Sequence, residues 1–395
     1  IGLARAIQFD VLEAIPAKIY KITAGYLIGE GARDKIKEAV GVHEPSVVIV
    51  NASLSPVQQR NLERAWQTKV IDRTGLILEI FGARAQTREG KMQVELAALS
   101  YQRSRLVKSW THLERQRGGA GFMGGPGETQ LEIDRRIIDD KIVLLKTQLE
   151  QVRKTRDLQR KSRERTPYPV VALVGYTNAG KSTLFNKMTG ASVFAENLLF
   201  ATLDPTLRSM KLSGGRDVIL SDTVGFISDL PTHLVAAFRA TLEQVQFADV
   251  ILHVRDISSP ETEAQCADVN AILKDLGVDT QNDPRLIEVL NKMDMLPESA
   301  DPWLRNPELR GRQIPISALT GEGVDTLLTA IEQILGQNHS HVTITLDVSN
   351  GKALAWLHRH ASIVGRSDDG EVINLDVVIY AGEYQRFQSL FENQN

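Results

Sequence analysis

The sequence predicts an α/β protein. A doubly wound, mostly parallel sheet occupies the middle of the chain. A small α/β domain carrying a long antiparallel helical hairpin precedes it, and a small α+β domain follows. Three observations carry this prediction. The apolar run Val170-Val171-Ala172-Leu173-Val174 feeds a glycine-bearing loop and then a helical pattern at residues 184–188. The order strand–loop–helix repeats from there to about residue 338. From about residue 89, two stretches of apolar residues spaced by three and four flank a run of glycines. The expected domains are 1–88, 89–166, 167–338 and 339–395.

The totals narrow the class. The 395 residues are 42% apolar and 24% charged, ordinary for a soluble globular chain, and the net charge is −3. The single cysteine, Cys266, excludes an intrachain disulfide and a cysteine-rich metal site, and suits a cytoplasmic protein. No apolar run approaches the roughly 20 residues that span a bilayer. The chain starts at Ile1, not Met, so its true start and any targeting segment stay open. A monomer is expected.

In chain order, residues 9–15 and 47–50 read as strands, and residues 30–40 and 55–66 as helices, with Ser53 or Ser55 as N-cap. Gly29 and Gly31 precede a helix, which suits either a simple turn or a phosphate contact. The cations Arg60, Arg64, Lys69, Arg73, Arg84, Arg88 and Lys91 suit either nucleic-acid phosphates or a solvated face shared with Glu63, Asp72, Glu79 and Glu89.

Met92, Leu96, Leu99, Leu106, Trp110 and Leu113 then form one helical seam, and Leu131, Ile138, Ile142, Leu145, Leu149 and Val152 a second. Gly118, Gly119, Gly121, Phe122, Met123, Gly124 and Gly125 between them cannot continue either helix, so the arrangement is a hairpin with a slim tip. A helix over 89–116 is roughly 40 Å long at about 1.5 Å per residue. Arg103, Arg105, Lys108, Arg115 and Arg117 approach the tip, Arg135, Arg136 and Lys141 leave it, and Arg153 to Arg165 add a basic end. Such a finger fits folded RNA, with Phe122 and Met123 placed to stack on bases; the alternative is a charged coiled coil packed on its own protein. Thr166-Pro167-Tyr168-Pro169 marks the next boundary.

The loop itself reads Gly175-Tyr176-Thr177-Asn178-Ala179-Gly180-Lys181-Ser182-Thr183. Gly175 and Gly180 let backbone N–H groups turn onto phosphate oxygens, and the following helix aims its positive end at the same anion. Lys181 reaches the outer phosphates, and the Ser182 hydroxyl can ligate Mg²⁺. The base is named downstream. Asn291-Lys292-Met293-Asp294 ends a predicted strand, and the Asp294 carboxylate pairs with the N1–H and N2–H₂ donors of guanine, which adenine lacks. Backbone N–H groups of Ser317-Ala318-Leu319 are placed to meet guanine O6. Asp222-Thr223-Val224-Gly225 supplies a carboxylate that holds Mg²⁺ through water and a glycine N–H that senses the third phosphate. Its strand pairs as a hairpin, 207–212 with 217–221, turning at Gly214-Gly215. In and after Phe200-Ala201-Thr202-Leu203-Asp204, Thr202 and Thr206 compete as the second metal hydroxyl, and the family resemblance given below favours Thr202. Lys181, Thr202 and Gly225 are the expected catalytic set of a GTP-binding, Ras-like domain. A helix follows at 231–246 and a strand at 250–254.

These residues resemble the HflX family of ribosome-associated GTPases. The resemblance is carried by Leu54-Ser55-Pro56 with Gln59-Arg60-Asn61-Leu62-Glu63 and Asp72-Arg73-Thr74, by residues 89–96, by the tip ending Gly125-Pro126-Gly127-Glu128-Thr129-Gln130, and by residues 200–206. It spans roughly residues 25–340. Many members have Leu-Arg-Gly-Pro-Gly at the tip; here Phe122-Met123-Gly124-Gly125 precede the proline, without the arginine. The resemblance implies binding of GTP and GDP. It implies contact between the hairpin tip (Gly119, Gly121, Phe122, Met123, Gly124, Gly125) and the RNA of the large (50S) ribosomal subunit near the peptidyl-transferase centre. It also implies GTP-dependent separation of stalled or idle ribosomes, often under stress.

Phe226 stands where Ras-like switches carry a water-orienting glutamine, so slow unassisted hydrolysis is expected, with the ribosome as accelerator. Asn178 matches the asparagine of K⁺-stimulated GTPases; bracing the loop is the other reading. Two other functions compete: a subunit-assembly GTPase, and a non-catalytic RNA-binding scaffold. Residues 342–348, 352–360, 363–364, 372–380 and 383–391 give a β-α-β-β-α appendage, with His358 and His360 expected at its surface.

Overall fold

The computed structural model describes the chain except for residues 20–21, 117–129, 164–167, 191–198, 201–205, 229–244, 338, 381–383, 385–386 and 393–395. The chain forms two compact units. The first comprises Ile1–Arg153, Phe194–Pro205 and Thr223–Leu242, and the second Lys154–Val193, Thr206–Asp222 and Glu243–Asn395.

In the first unit, α1 (Gly2–Ala6) buries Leu3, Ala4 and Ala6. Residues 9–15 are not the strand that alternation predicts: they have no regular structure. A strand needs a partner and one covered face. Here Phe9, Val11 and Leu12 all stay exposed, and the sheet described in this unit takes only the next two strands. After α2 (Glu30–His43), β1 (Val47–Val50) pairs in parallel with β2 (Lys69–Asp72), Val47 opposite Lys69. Between them α3 (Pro56–Trp66) starts in a capping box: Ser55 Oγ accepts from the Gln58 backbone N–H and the Gln58 side chain accepts from the Ser55 N–H. Ser55, not Ser53, is therefore the cap. Leu62, Trp66 and Val70 close a core with Leu27, Ile28 and Leu54.

Helix α4 (Arg73–Arg84) follows β2 without a break, because Asp72 both ends the strand and caps the helix. One Asp72 oxygen accepts from Gly75 N (2.8 Å) and the Tyr101 hydroxyl (2.7 Å), and the other from Leu54 N (3.2 Å). Burial, helped by the Asp72 carboxylate, pushes the Tyr101 phenol well above its ordinary range. The long helices are α5 (Arg88–Gln116) and α6 (Gln130–Arg163), and Arg103 of the first meets Asp139 of the second at 2.7 Å. The glycine-rich tip lies outside the described residues.

The second unit holds a six-stranded sheet in the order β4-β5-β3-β6-β7-β8. Its strands are β3 (Val170–Gly175), β4 (Thr206–Lys211), β5 (Asp217–Asp222), β6 (Val250–Asp256), β7 (Leu286–Asn291) and β8 (Gln313–Pro315). Only β4 is antiparallel, paired with β5 in a hairpin turning at Gly214 and Gly215. The chain leaves β3 to one side and returns on the other, so the end of β3 is the point where the strand order reverses, the usual place for a ligand. The helices α7 (Lys181–Thr189), α8 (Thr262–Asp275) and α9 (Val324–Gln337) follow β3, β6 and β8. Leu184, Phe185, Leu327 and Ile331 pack with Val171, Leu173, Leu252 and Val289 in one core. The helix expected at 231–246 falls almost wholly outside the described residues.

The chain ends with β9 (His339–Asp347), α10 (Gly351–His360), β10 (Ala361–Asp369) and β11 (Val372–Tyr380), an antiparallel sheet in the order β10-β11-β9. His360 is not a free surface residue as expected. Its ring stacks on Trp356 at 4.1 Å, and the indole packs against Phe387 and Phe391. The ring buries an apolar face that counting polar residues does not register. Of the closing helix expected at 383–391, residues 383, 385 and 386 lie outside the described residues, 384 and 387 are α-helical, and a π-helical turn, Gln388–Glu392, ends it.

Asp72 accepts from three donors, so Asp72→Ala should destabilise residues 47–105 by about 2–4 kcal/mol. Hydrogen exchange followed by mass spectrometry should show faster exchange at Leu54, Gly75 and the start of α4, with the β3–β8 sheet unchanged.

Candidate functional site: a phosphate loop stitched to two base-side loops

Strand β3 delivers Gly175 with φ +151° and the loop closes on Gly180 with φ +96°. Neither position admits a side chain. A Cβ on Gly175 would lie 2.2 Å from the Val254 carbonyl oxygen, and one on Gly180 would lie 2.1 Å from Asn291 Nδ2. Thr177 and Ala179 are buried, Tyr176 and Thr183 are half-buried, and Asn178 is exposed with φ +63°. The Lys181 ammonium donates to the Gly175 (3.1 Å) and Tyr176 (2.8 Å) carbonyls, folded back along the loop that it must serve. Burial pushes its pKa down to about 8, against the pull of the Asp222 carboxylate. Ser182 Oγ donates to Asp222 Oδ2 at 2.7 Å, where β5 lies beside β3 with Leu173 opposite Asp222.

The base-side loops are tied to this one by a single amide. Asn291, at the end of β7 and 2% exposed, donates from Nδ2 to the Ala179 carbonyl (2.8 Å) and accepts at Oδ1 from Ala318 N (2.9 Å). Its side chain is thus spent on structure, joining the phosphate loop to the Ser317-Ala318-Leu319 loop. Lys292, with φ +69°, sends its ammonium to Asp256 Oδ2 at 2.7 Å. The buried Met293 donates its N–H to the Ile316 carbonyl at 3.1 Å. Those contacts leave Asp294 exposed in the turn Met293–Met295. Ser317 and Ala318 are buried and Leu319 is 75% exposed. The result is an exposed carboxylate and an exposed apolar side chain at the ends of β7 and β8, which suits a flat base with donors on one edge. The structure therefore brings together residues 175–183, Asp222, 291–294 and 317–319.

Phe200, Thr223, Val224 and Gly225 fall in the first unit. Phe200 is 2% exposed with φ +57°, and its ring meets Phe81 of α4 edge-on at 4.7 Å. Residues 223–227 are all buried. Thr202, with Ala201, Leu203 and Asp204, lies outside the described residues, as do Gly119, Gly121, Phe122, Met123, Gly124 and Gly125. Sequence reasoning missed Asp256 and Phe81. The first had a signal, a carboxylate ending an apolar strand beside the Asn291 strand. The second had none, because its partner is distant in sequence.

Ser182 Oγ beside Asp222 is a pair of hard oxygen donors of the kind Mg²⁺ takes, so the residues fit that ion. Among the described residues no group of three or more His, Cys, Asp or Glu side chains could hold a metal, and no helix is long and apolar enough to cross a membrane.

Four protein families match consecutive stretches of the chain. They are described as GTP-binding GTPase N-terminal (residues 1–82), GTP-binding GTPase Middle Region (84–163), 50S ribosome-binding GTPase (170–292) and HflX C-terminal domain (305–388). The GTPase HflX of Magnetococcus marinus is 49% identical to this chain, over 97% of it and 85% of the relative. That of Escherichia coli is 47% identical over 88% and 81%. That of Lacrimispora saccharolytica is 47% identical over 90% and 82%.

Two outcomes test the site. Asp294→Asn should lower affinity for guanine nucleotides at least ~100-fold and improve affinity for xanthine nucleotides, whose second ring oxygen accepts from the new amide; titration with both bases reads this. For Lys181, the unfolded chain keeps the ordinary value of 10.5 while the folded chain sits near 8. Between these the unfolded state binds more protons, so burial of this group makes stability rise with pH. Lys181→Met removes the slope. The stability of the variant relative to the parent should therefore fall by up to about 1.4 kcal/mol per pH unit from pH 8 to 10.5 in urea titrations.

Proposed function

The chain belongs to the HflX family of GTPases, and from that premise we propose that it is a nucleotide-controlled switch that acts on the large ribosomal subunit and parts stalled or idle ribosomes. It is a GTP-hydrolysing enzyme with a ribosome-binding GTPase domain. The observation that carries the guanine reading is the Asn291 amide, which locks the phosphate loop to the loops that frame the base.

In this reading backbone N–H groups of residues 176–183 take the β-phosphate. Lys181 leaves the Gly175 and Tyr176 carbonyls for the outer phosphates, a better acceptor for a buried ammonium. Ser182 and Thr202, with Asp222 behind water, would hold Mg²⁺, whose chemistry is to neutralise charge on the phosphate oxygens. The Gly225 N–H registers the third phosphate. Asp294 reads guanine N1–H and N2–H₂, and Ala318 N–H reads O6. Asn178 is exposed at a bend of the loop, where a K⁺ ligand belongs, and a swap of K⁺ for Na⁺ decides its role.

Phe226 supports the slow half of the cycle. It is 2% exposed and offers no polar atom to a water. Among the cations that lead toward the hairpin tip, Arg105 is committed to Gln59 and Asp72, and Arg103 and Arg135 to Asp139; Arg136 and Lys141 on α6 support an RNA partner. The tip residues Gly119, Gly121, Phe122, Met123, Gly124 and Gly125 are the proposed contacts. A monomeric protein of the cytoplasm, organised as domains 1–88, 89–166, 167–338 and 339–395, fits the same reading.

Single-turnover hydrolysis by the protein alone should fall within a decade or two of roughly 10⁻⁴ s⁻¹, and large subunits should raise it at least ~10-fold. Fast hydrolysis without ribosomes overturns the assignment. Sedimentation then separates the functions: a splitter converts intact ribosomes to subunits with GTP or a non-hydrolysable analogue, while an assembly factor leaves them intact.

A further inference from the structure

The segment that follows Gly225 is held by a side chain from outside the nucleotide-binding motifs. Arg73, the first residue of α4, donates from one terminal nitrogen to the Ser228 carbonyl at 3.0 Å and from the other to Asn51 Oδ1 at 2.7 Å. Both contacts lie within the first unit, to which Thr223–Leu242 belongs. Arg73 is fixed from three directions. Its backbone opens α4 at the Asp72 cap, its N–H donates to the Ala52 carbonyl at 3.3 Å, and Asn51 holds its guanidinium. Its Nε is buried and has no hydrogen-bond partner among the described residues, while the bond to Ser228 is partly buried and the bond to Asn51 is exposed. A charge-assisted bond made by a pre-oriented fork is strong for its kind. The stretch that it grips is rigidly packed as well, with Val224, Phe226 and Ile227 all buried.

We propose that Arg73 is a positioning residue for GTP hydrolysis: by fixing the Ser228 carbonyl it sets the pose of the Gly225 N–H, three residues earlier, that meets the third phosphate. This rests on the GTPase reading and not on ribosome splitting. GDP has no third phosphate, so its affinity is indifferent to that pose. GTP hydrolysis is not.

The test uses the full chain with Arg73→Ala, Arg73→Lys and Asn51→Ala, in single-turnover hydrolysis without ribosomes, with separate GDP titrations. Arg73→Ala should lower the hydrolysis rate about tenfold or more, the factor expected for a lost charge-assisted bond, with GDP affinity within about twofold of the parent. Arg73→Lys keeps the charge without the fork and should recover part of the rate. Asn51→Ala leaves the Ser228 contact and should have the smallest effect. An unchanged or faster rate overturns the proposal. So does a loss of GDP affinity equal to the loss of rate, which marks a merely structural residue. If Arg73→Ala does not fold, the ordering of the other two variants still decides, because a structural role gives no loss of rate at constant GDP affinity. Failure of the ribosome reading would instead show as an intact Arg73 effect with no stimulation by large subunits.

Discussion

The nucleotide site depends on the Asn291 carboxamide. A phosphate loop and a base-reading loop are useful together only if their separation is fixed, and backbone hydrogen bonds do not fix it, because the loops end different strands. One buried side chain with a donor at one end and an acceptor at the other does. It sits at the end of β7, takes Ala179 on one side and Ala318 on the other, and so ties the two loops together. The glycine at 180 follows from the amide, since the amide occupies the place of a side chain there. Lys292, turned to Asp256, and Met293, tied to Ile316, then leave Asp294 facing outward as the one carboxylate of its turn.

A second organising fact concerns Phe200 and residues 223–228, which group with the N-terminal part of the chain and not with the sheet that carries Lys181 and Asp222. Phe200 is sunk against Phe81, and Ser228 is held by Arg73. The same α4 supplies both anchors, at its first turn and toward its last.

Much of this was legible in the sequence because the chemistry leaves few options. A loop that wraps phosphate needs glycines at 175 and 180, an ammonium at 181 and a hydroxyl at 182, and a pocket that prefers guanine needs an acceptor such as Asp294. Helix starts were legible where caps were written out, as at Ser55. The strand expected at residues 9–15 failed because alternation is a necessary sign of a strand and not a sufficient one; it says nothing of whether a neighbour is present. His360 was misjudged because imidazole is both polar and flat, and its flat side found Trp356. The two backbone bonds of the Asn291 amide were not legible, because both of its partners lie in loops distant in sequence. The pairs Phe81–Phe200 and Arg73–Ser228 were invisible because nothing local distinguishes a residue whose partner lies more than a hundred positions away.

The closeness of Gly180 to Asn291 has a consequence for how such a protein can change over time. A carbon added at 180 meets the amide of Asn291, and the left-handed backbone there strains any side chain even if 291 were smaller. Shrinking 291 unfastens both loops. The two neighbouring positions are thus held by different constraints, one in the backbone and one in a side chain, and relaxing either does not release the other.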